Sequence, residues 1–370
     1  MKHIRIGSLA GIKLDLHYTW VFIFFLLAYA LAAGFFPENY PGLSKAEYWF
    51  VGGVSALFLF VSVLLHELSH SLVAKRHNIK VERITLFFFG GVASIHEENL
   101  TPKKELQTAI AGPLFSIFLA GFFYLIFKVS TIVYVTAVTH YLFLINFILA
   151  VFNMVPGFPL DGGRVFRALI WMYNKDIKKA TWYAANMGKA FAIFLVIMGF
   201  FSIIFGGFGG LWFVFLGLFL LFIAELSYYQ TLVKEILKGI KVDELMKRDF
   251  AKLSGNETVK ELIKKYFMKY GVRNFPVVSK GRFIGMLDLN KLKKIPERNY
   301  EKVKVKDVLL DVKRVKKVSR GTDVYHTLVG MSKEGIRIFP VVEKGKLVGI
   351  LSRDQLMNYV SLKMRFTQKF

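Results

Sequence analysis

Six stretches of this chain are apolar for long enough to cross a bilayer, and they constrain its fold more than any other feature. They run at about Trp20–Phe36, Trp49–Ala74, Glu105–Phe127, Ile132–Val155, Trp182–Phe205 and Leu211–Val233. Each is close to the ~17–25 residues a helix needs to cross a ~30 Å hydrocarbon layer. Backbone polar groups find no water there, so the segments must be helical. A soluble domain is ~45–50% apolar, whereas 54% of these 370 residues are hydrophobic. The expectation is a polytopic α-helical membrane domain with something soluble attached. The N-terminal stretch before Trp20 reads as short β or interfacial structure.

Basic residues orient the spans. Residues 1–17 carry Lys2, Arg5 and Lys13; the connection after span two carries Lys75, Arg76, Lys80, Arg83, Lys103 and Lys104; that after span four carries Arg164, Arg167, Lys175, Lys178 and Lys179. The alternate connections hold only Lys45, only Lys128, and no basic residue. The positive-inside rule then places both termini in the cytoplasm of a multi-pass cell-membrane protein.

Span two contains His66-Glu67-Leu68-Ser69-His70. The i, i+4 spacing puts both imidazoles on one helical face with the glutamate beside them. A charge at the bilayer centre costs at least ~2.5–3.5 kcal/mol, so an ionisable cluster at that depth argues for function. Span four ends in Asn153-Met154-Val155-Pro156-Gly157-Phe158-Pro159-Leu160-Asp161-Gly162-Gly163-Arg164, at the same cytoplasmic side as the histidines. A short interfacial helix is expected at about Arg164–Tyr173. Between spans two and three, TLFFFGGVASI (residues 85–95) reads as a β-hairpin around Gly90-Gly91. It is too short to span as a helix and apolar enough to be membrane-associated, as a re-entrant element buried in protein.

From about Gly239 the composition becomes that of a soluble α/β module. Residues 1–238 carry 19 basic and 12 acidic side chains, and residues 239–370 carry 31 and 14. So basic a module tethered to a bilayer suits anionic head groups on the cytoplasmic side. No basic stretch is interleaved with aromatics, so no nucleic-acid partner is expected. The module repeats: FPVVSKGRFIGML (275–287) matches FPVVEKGKLVGIL (339–351) at an offset of 64, and VDELM (242–246) resembles VKDVL (305–309). A duplicated β-α-β-β-α unit of about sixty residues is expected.

HExxH on a helix supplies two zinc ligands and a general base, and catalytic zinc normally takes a third protein ligand. With no cysteine in the chain, that ligand is Asp, Glu or His. Two candidates lie at matching depth, Asp161 and Glu225. Asp161 is favoured, because Pro156, Pro159 and Gly162-Gly163 break the helix and can aim a carboxylate back into the bundle. His140, in the outer half of span four, reads as an interhelical hydrogen-bonder, and Lys189 as snorkelling to the interface.

HExxH together with NxxPxxxLDGG (Asn153, Pro156, Leu160, Asp161, Gly162, Gly163) resembles the site-2 protease family of intramembrane zinc metalloproteases over about residues 1–235. Residues 240–362 resemble a tandem cystathionine-β-synthase (CBS) pair, with copies at about 240–298 and 303–362. The division expected is 1–238 for the six-span protease domain and 239–370 for the cytoplasmic pair. The resemblance implies that His66, His70 and Asp161 ligate one Zn2+, that Glu67 is the base and that Asn153 holds the scissile carbonyl. It makes the segment at Gly90-Gly91 a clamp for substrate. The implied activity is cleavage of transmembrane segments of membrane-protein substrates near the cytoplasmic face by zinc-activated water. One motif departs: where many members carry GPxxN, this chain reads Gly112-Pro113-Leu114-Phe115-Ser116.

A CBS pair implies adenine-nucleotide sensing or a structural, dimerising tail. The usual GxxTxxD pattern is altered in both copies: Asp354 comes one place early after Ser352 in copy two, and Lys291 stands at the acid's place in copy one. Ser352 and Asp354 are the candidate nucleotide ligands. The competing function is a CBS-regulated transporter or channel that uses the His/Glu/Asp cluster for ion passage. A transporter would show inverted repeats and polar groups along several spans, whereas here the polar groups gather at one depth.

Overall fold

The computed structural model describes residues 3–87, 90–95, 100–207, 209–267, 274–288, 292, 295–312 and 314–367. The chain divides into two compact units, Met1–Tyr229 and Gln230–Phe370.

The first unit opens with strands β1 (His3–Leu9) and β2 (Ile12–His17), paired as an antiparallel hairpin. Helix α1 (Thr19–Ala30) continues through a π-helical turn at Leu31–Phe35 into α2 (Phe36–Asn39). Helix α3 (Lys45–Arg76) starts at a capping box between Ser44 and Glu47, a pairing that satisfies two otherwise unbonded backbone N–H groups. Strands β3 (Val81–Phe87) and β4 (Gly90–Ile95) follow, then α4 (Pro102–Val129), α5 (Val133–Asn153), α6 (Asp161–Asn174), α7 (Ile177–Ile204) and α8 (Gly210–Leu237). Among the described residues, six helical segments are long and apolar enough to cross a membrane, at Thr19–Asn39, Lys45–Arg76, Pro102–Val129, Val133–Asn153, Ile177–Ile204 and Gly210–Leu237. They coincide with the six apolar stretches of the sequence, and the protein is a multi-pass membrane protein.

The hairpin expected at 85–95 forms, but Gly90 and Gly91 stand in its second strand and residues 88–89 lie outside the described set. It does not stand alone. Strand β2 pairs in parallel with β3, giving a four-stranded sheet in the order β1-β2-β3-β4 with β4 at an edge. Ile12, Val81 and Ile84 of this sheet pack with Leu68 and Ala74 of α3. The sheet therefore covers the end of α3 that bears the histidines. Asp15, almost fully buried, joins β2 to β3 by an ion pair with Arg83 at 3.1 Å.

Two sequence expectations need revision. Lys189 does not simply reach for the interface; it forms an ion pair with Glu225, joining α7 to α8. Gly162 and Gly163 do not break a helix but lie in the first turn of α6. A Cβ on either would strike the backbone of residues 154–158, so glycine there permits a close approach of chain to chain. His140 meets its expectation, with Nδ1 at 3.0 Å from the Tyr40 hydroxyl.

In the second unit each copy's leading turn packs into the other copy's core. Val242, from helix α9 (Val242–Leu245), is buried with Val324, Phe339, Val341 and Leu351 of copy two. Val305, from α11 (Val305–Val308), is buried with Leu253, Leu262, Phe275 and Leu287 of copy one. Strand β5 (Leu253–Ser254), helix α10 (Val259–Leu262), strands β6 (Asn274–Ser279) and β7 (Arg282–Asp288), and β8 (Leu310–Asp311) from copy two build the first core, in the sheet order β5-β6-β7-β8. Copy two adds α12 (Val324–Glu334), the hairpin β9 (Ile338–Glu343) with β10 (Lys346–Ser352), and α13 (Arg353–Thr367). Residues 268–273 of copy one lie outside the described residues. The copies meet where Phe283, Met286 and Leu347 are buried together, and the Phe283 N–H donates to the Gly345 carbonyl at 3.1 Å.

Candidate active site

Helix α3 carries His66, Glu67 and His70, and both imidazoles are buried. Asp161 is the first residue of α6, after the turn at 154–160 that separates it from α5. That turn is anchored by the Phe158 N–H, which donates to the Ala184 carbonyl of α7 at 3.1 Å. It brings Asp161 Oδ2 to 3.1 Å from His66 Nε2 and 3.0 Å from His70 Nε2, while the two Nε2 atoms are 3.2 Å apart. Arg164 Nη1 stands 3.7 Å from the other carboxylate oxygen, Oδ1. Glu225 is not part of the cluster, being held by Lys189.

The three atoms are close enough together to hold a metal ion. His70 Nδ1 lies 2.6 Å from the Thr108 carbonyl, which can only accept, so Nδ1 carries the proton. In the neutral ring, Nε2 then offers a lone pair. The lone-pair nitrogen of His70, His66 Nε2 and a carboxylate oxygen converging at this distance can take a cation between them. With ligands at ~2.0–2.1 Å, a tetrahedral zinc has edges of about 3.3–3.4 Å, so the rings need open by only a few tenths of an ångström. Gly112 of α4 leaves the room. A Cβ there would stand 2.6 Å from His66 Nε2 and would contact His70 Nε2 as well. The site therefore fits a zinc ion.

Ser116, at the point where the chain departs from GPxxN, has a polar role: its Oγ lies 2.9 Å from His66 Nδ1. Each imidazole is thus oriented through its Nδ1 by a partner on α4, as metal-ligating histidines generally are. Glu67 is half-buried beside the histidines, and strand β4 passes so close that a Cβ on Gly91 would meet its Cγ, with Cδ at 3.2 Å. The edge strand and the candidate base are therefore neighbours.

The remaining sequence candidates are placed less centrally. Asn153, half-buried at the end of α5, donates one amide N–H to the Leu149 carbonyl at 3.0 Å. A second N–H on the same nitrogen remains to its chemistry. In the CBS pair, the Ser352 hydroxyl accepts from the Gln355 N–H at 3.2 Å and so caps α13, while Asp354 is exposed in that helix's first turn. Both placements have a local explanation in helix capping and the helix dipole.

Sequence reasoning missed the buried pair Glu105–Arg167. Glu105 of α4 is fully buried, Arg167 of α6 is 5% exposed, and Arg167 Nε donates to Glu105 Oε1 at 2.8 Å, with Nη2 on the same oxygen. In the sequence Glu105 reads as a charge at the start of span three and Arg167 as one of the basic residues after span four, and nothing there marks them as partners.

Spanning helices, a buried His/His/Asp triangle and an adjacent glutamate define a membrane-embedded metallopeptidase. The model of peptidase family M50 matches residues 54–140 and 128–198, and that of the CBS domain matches 242–297 and 305–362. Zinc metalloprotease MJ0392 of Methanocaldococcus jannaschii is 32% identical over 363 residues, covering 97% of this chain and 96% of that one. Stage IV sporulation protein FB of Bacillus subtilis is 32% identical over 146 residues, 39% of this chain and 48% of its own. Among solved structures, the site-2 protease from Methanocaldococcus jannaschii is 30% identical, covering 61% of this chain and 95% of that one with a TM-score of 0.42. The chain belongs to peptidase family M50, the site-2 proteases, and carries a tandem CBS pair. It is a zinc metalloprotease, and the transporter or channel reading falls away.

Proposed function

We propose that residues 1–238 cleave the transmembrane segments of membrane-protein substrates near the cytoplasmic face, with His66, His70 and Asp161 as the zinc ligands. The observation that carries this is the convergence of His66 Nε2, His70 Nε2 and Asp161 Oδ2 within 3.0–3.2 Å of one another. Zinc held there supplies Lewis-acid polarisation of water and of the scissile carbonyl.

The chain's own residues do the rest. Glu67 takes the proton from the attacking water and passes it to the leaving amine. Asn153 turns its second amide N–H toward the scissile carbonyl oxygen and holds it. A substrate helix must unwind before its carbonyls are reachable, and the outer edge of β4 at Gly90 and Gly91, unpaired among the described residues, offers it backbone hydrogen bonds by strand addition.

Both termini and the CBS pair, residues 239–370, face the cytoplasm in this reading, supported by the basic connections after spans two and four. The pair binds an adenine nucleotide, with Ser352 and Asp354 as ligands, and joins two copies of the chain. The decisive experiment is proteolysis of a single-span substrate by purified protein, wild type against Glu67→Gln. Equal cutting by the variant would remove the mechanism. Millimolar ATP or AMP should raise the unfolding temperature of the full chain, and an unchanged temperature would remove the sensor role.

A further inference from the structure

Helix α4 donates no ligand, yet one of its faces addresses all three. Glu105, Thr108, Gly112 and Ser116 follow at i, i+3, i+7 and i+11, a spacing that lines one side of a helix, and all four are buried. Ser116 takes His66, the Thr108 carbonyl takes His70, and Gly112 clears the space between the rings. Only Asp161 is reached indirectly. Glu105 holds Arg167, and Arg167 lies on the helix that Asp161 begins.

We propose that the buried Glu105–Arg167 ion pair is the positioning device for Asp161, setting the depth and rotation of α6 so that Oδ2 meets both imidazoles. The inference rests on the reading of His66, His70 and Asp161 as the metal site. Arg167 grips both sides of the aspartate. Its guanidinium carbon stands 4.9 Å over the Phe158 ring, three residues before Asp161, while its own Cα lies six residues after. Glu105 then ties this unit to the helix that orients the histidines. Stability alone gives a poor account of the pair. Desolvating two charges offsets most of their attraction, and a hydrophobic pair of similar volume usually serves as well. Glu105 Oε2, moreover, is buried without a hydrogen-bond partner among the described residues. What the pair supplies is geometry: a planar guanidinium set over an aromatic ring and held by a carboxylate, which a lysine cannot reproduce.

The test compares zinc affinity, by competition with a chelator, and the unfolding temperature of the zinc-free protein, for the full chain in detergent. Glu105→Leu combined with Arg167→Met removes both charges and keeps the volume, avoiding the unpaired buried charge of a single substitution. It should keep the zinc-free unfolding temperature and bind zinc about 10–100-fold more weakly, the range for lost outer partners of a metal ligand. Arg167→Lys should fall between this variant and wild type. In an Asp161→Ala background the double substitution should cost nothing further, because what it positions is already gone. Wild-type affinity in the double variant, or an equal additional loss in the Asp161→Ala background, would overturn the proposal. If wild type and His66→Ala bind zinc alike, the metal-site reading itself has failed.

Discussion

The room for the metal is made by a missing side chain, and Gly112→Ala tests that directly. The added carbon would stand 2.6 Å from His66 Nε2 and 2.6 Å from His70 Cε1, and nearer still to His70 Nε2. Ordinary contact begins at 3.4 Å, so His66 must retreat by about 0.8 Å and His70 by more, against a latitude of about 0.2 Å in metal–ligand distances. Two of three ligands are displaced together, and zinc affinity should fall by well over ~100-fold, beyond the effect of losing an outer partner. Fold stability should fall less. Gly→Ala in a helix interior gains ~0.5–1 kcal/mol, but crowding two buried rings costs ~1–3 kcal/mol, so the zinc-free variant should unfold at or a few degrees below the wild-type temperature. The assay is zinc content and chelator competition on purified protein, with thermal unfolding of the zinc-free form alongside. A Gly112→Ala protein holding one zinc per chain at wild-type affinity would refute the assignment of the metal position.

Ser116→Ala removes the partner of His66 Nδ1 and should weaken zinc about 10–100-fold; a chelator titration matching wild type would deny Ser116 that role. Asp161→Asn keeps the shape but weakens the anionic ligand, so zinc should bind more weakly at unchanged zinc-free stability, read in the same titration. Because the chain contains no cysteine, single cysteines at Ser44 and Lys175 report topology cleanly. The one at 175 should react with a membrane-impermeant thiol reagent only from the cytoplasmic side, the one at 44 only from outside, and the reverse pattern would invert the proposed orientation. Phe283→Ala at the junction of the two CBS copies should cost ~3–5 kcal/mol of that module's stability, measured by denaturant unfolding.

The lengths of the apolar runs determined the six spans, because a hydrocarbon layer admits helices and little else. HExxH and LDGG marked the cluster, since a fixed helical spacing and the first turn of a helix each constrain where their side chains lie. The internal repeat likewise announced a duplicated α/β unit. These are local rules, and local rules are written in consecutive residues. Partnerships between distant residues are not. The joining of β2 to β3, the exchange of Val242 and Val305 between the two CBS cores, and the pairing of Lys189 with Glu225 follow from which surfaces close against each other. So does the role of α4. Its Glu105, Thr108, Gly112 and Ser116 look unremarkable in sequence and matter because tertiary packing lays that face against the His66–His70 pair and against Arg167. The candidate ligands were legible because their chemistry is rare in a membrane; the residues packed around them were not, because serine, threonine and glycine are common there and only contact distinguishes them.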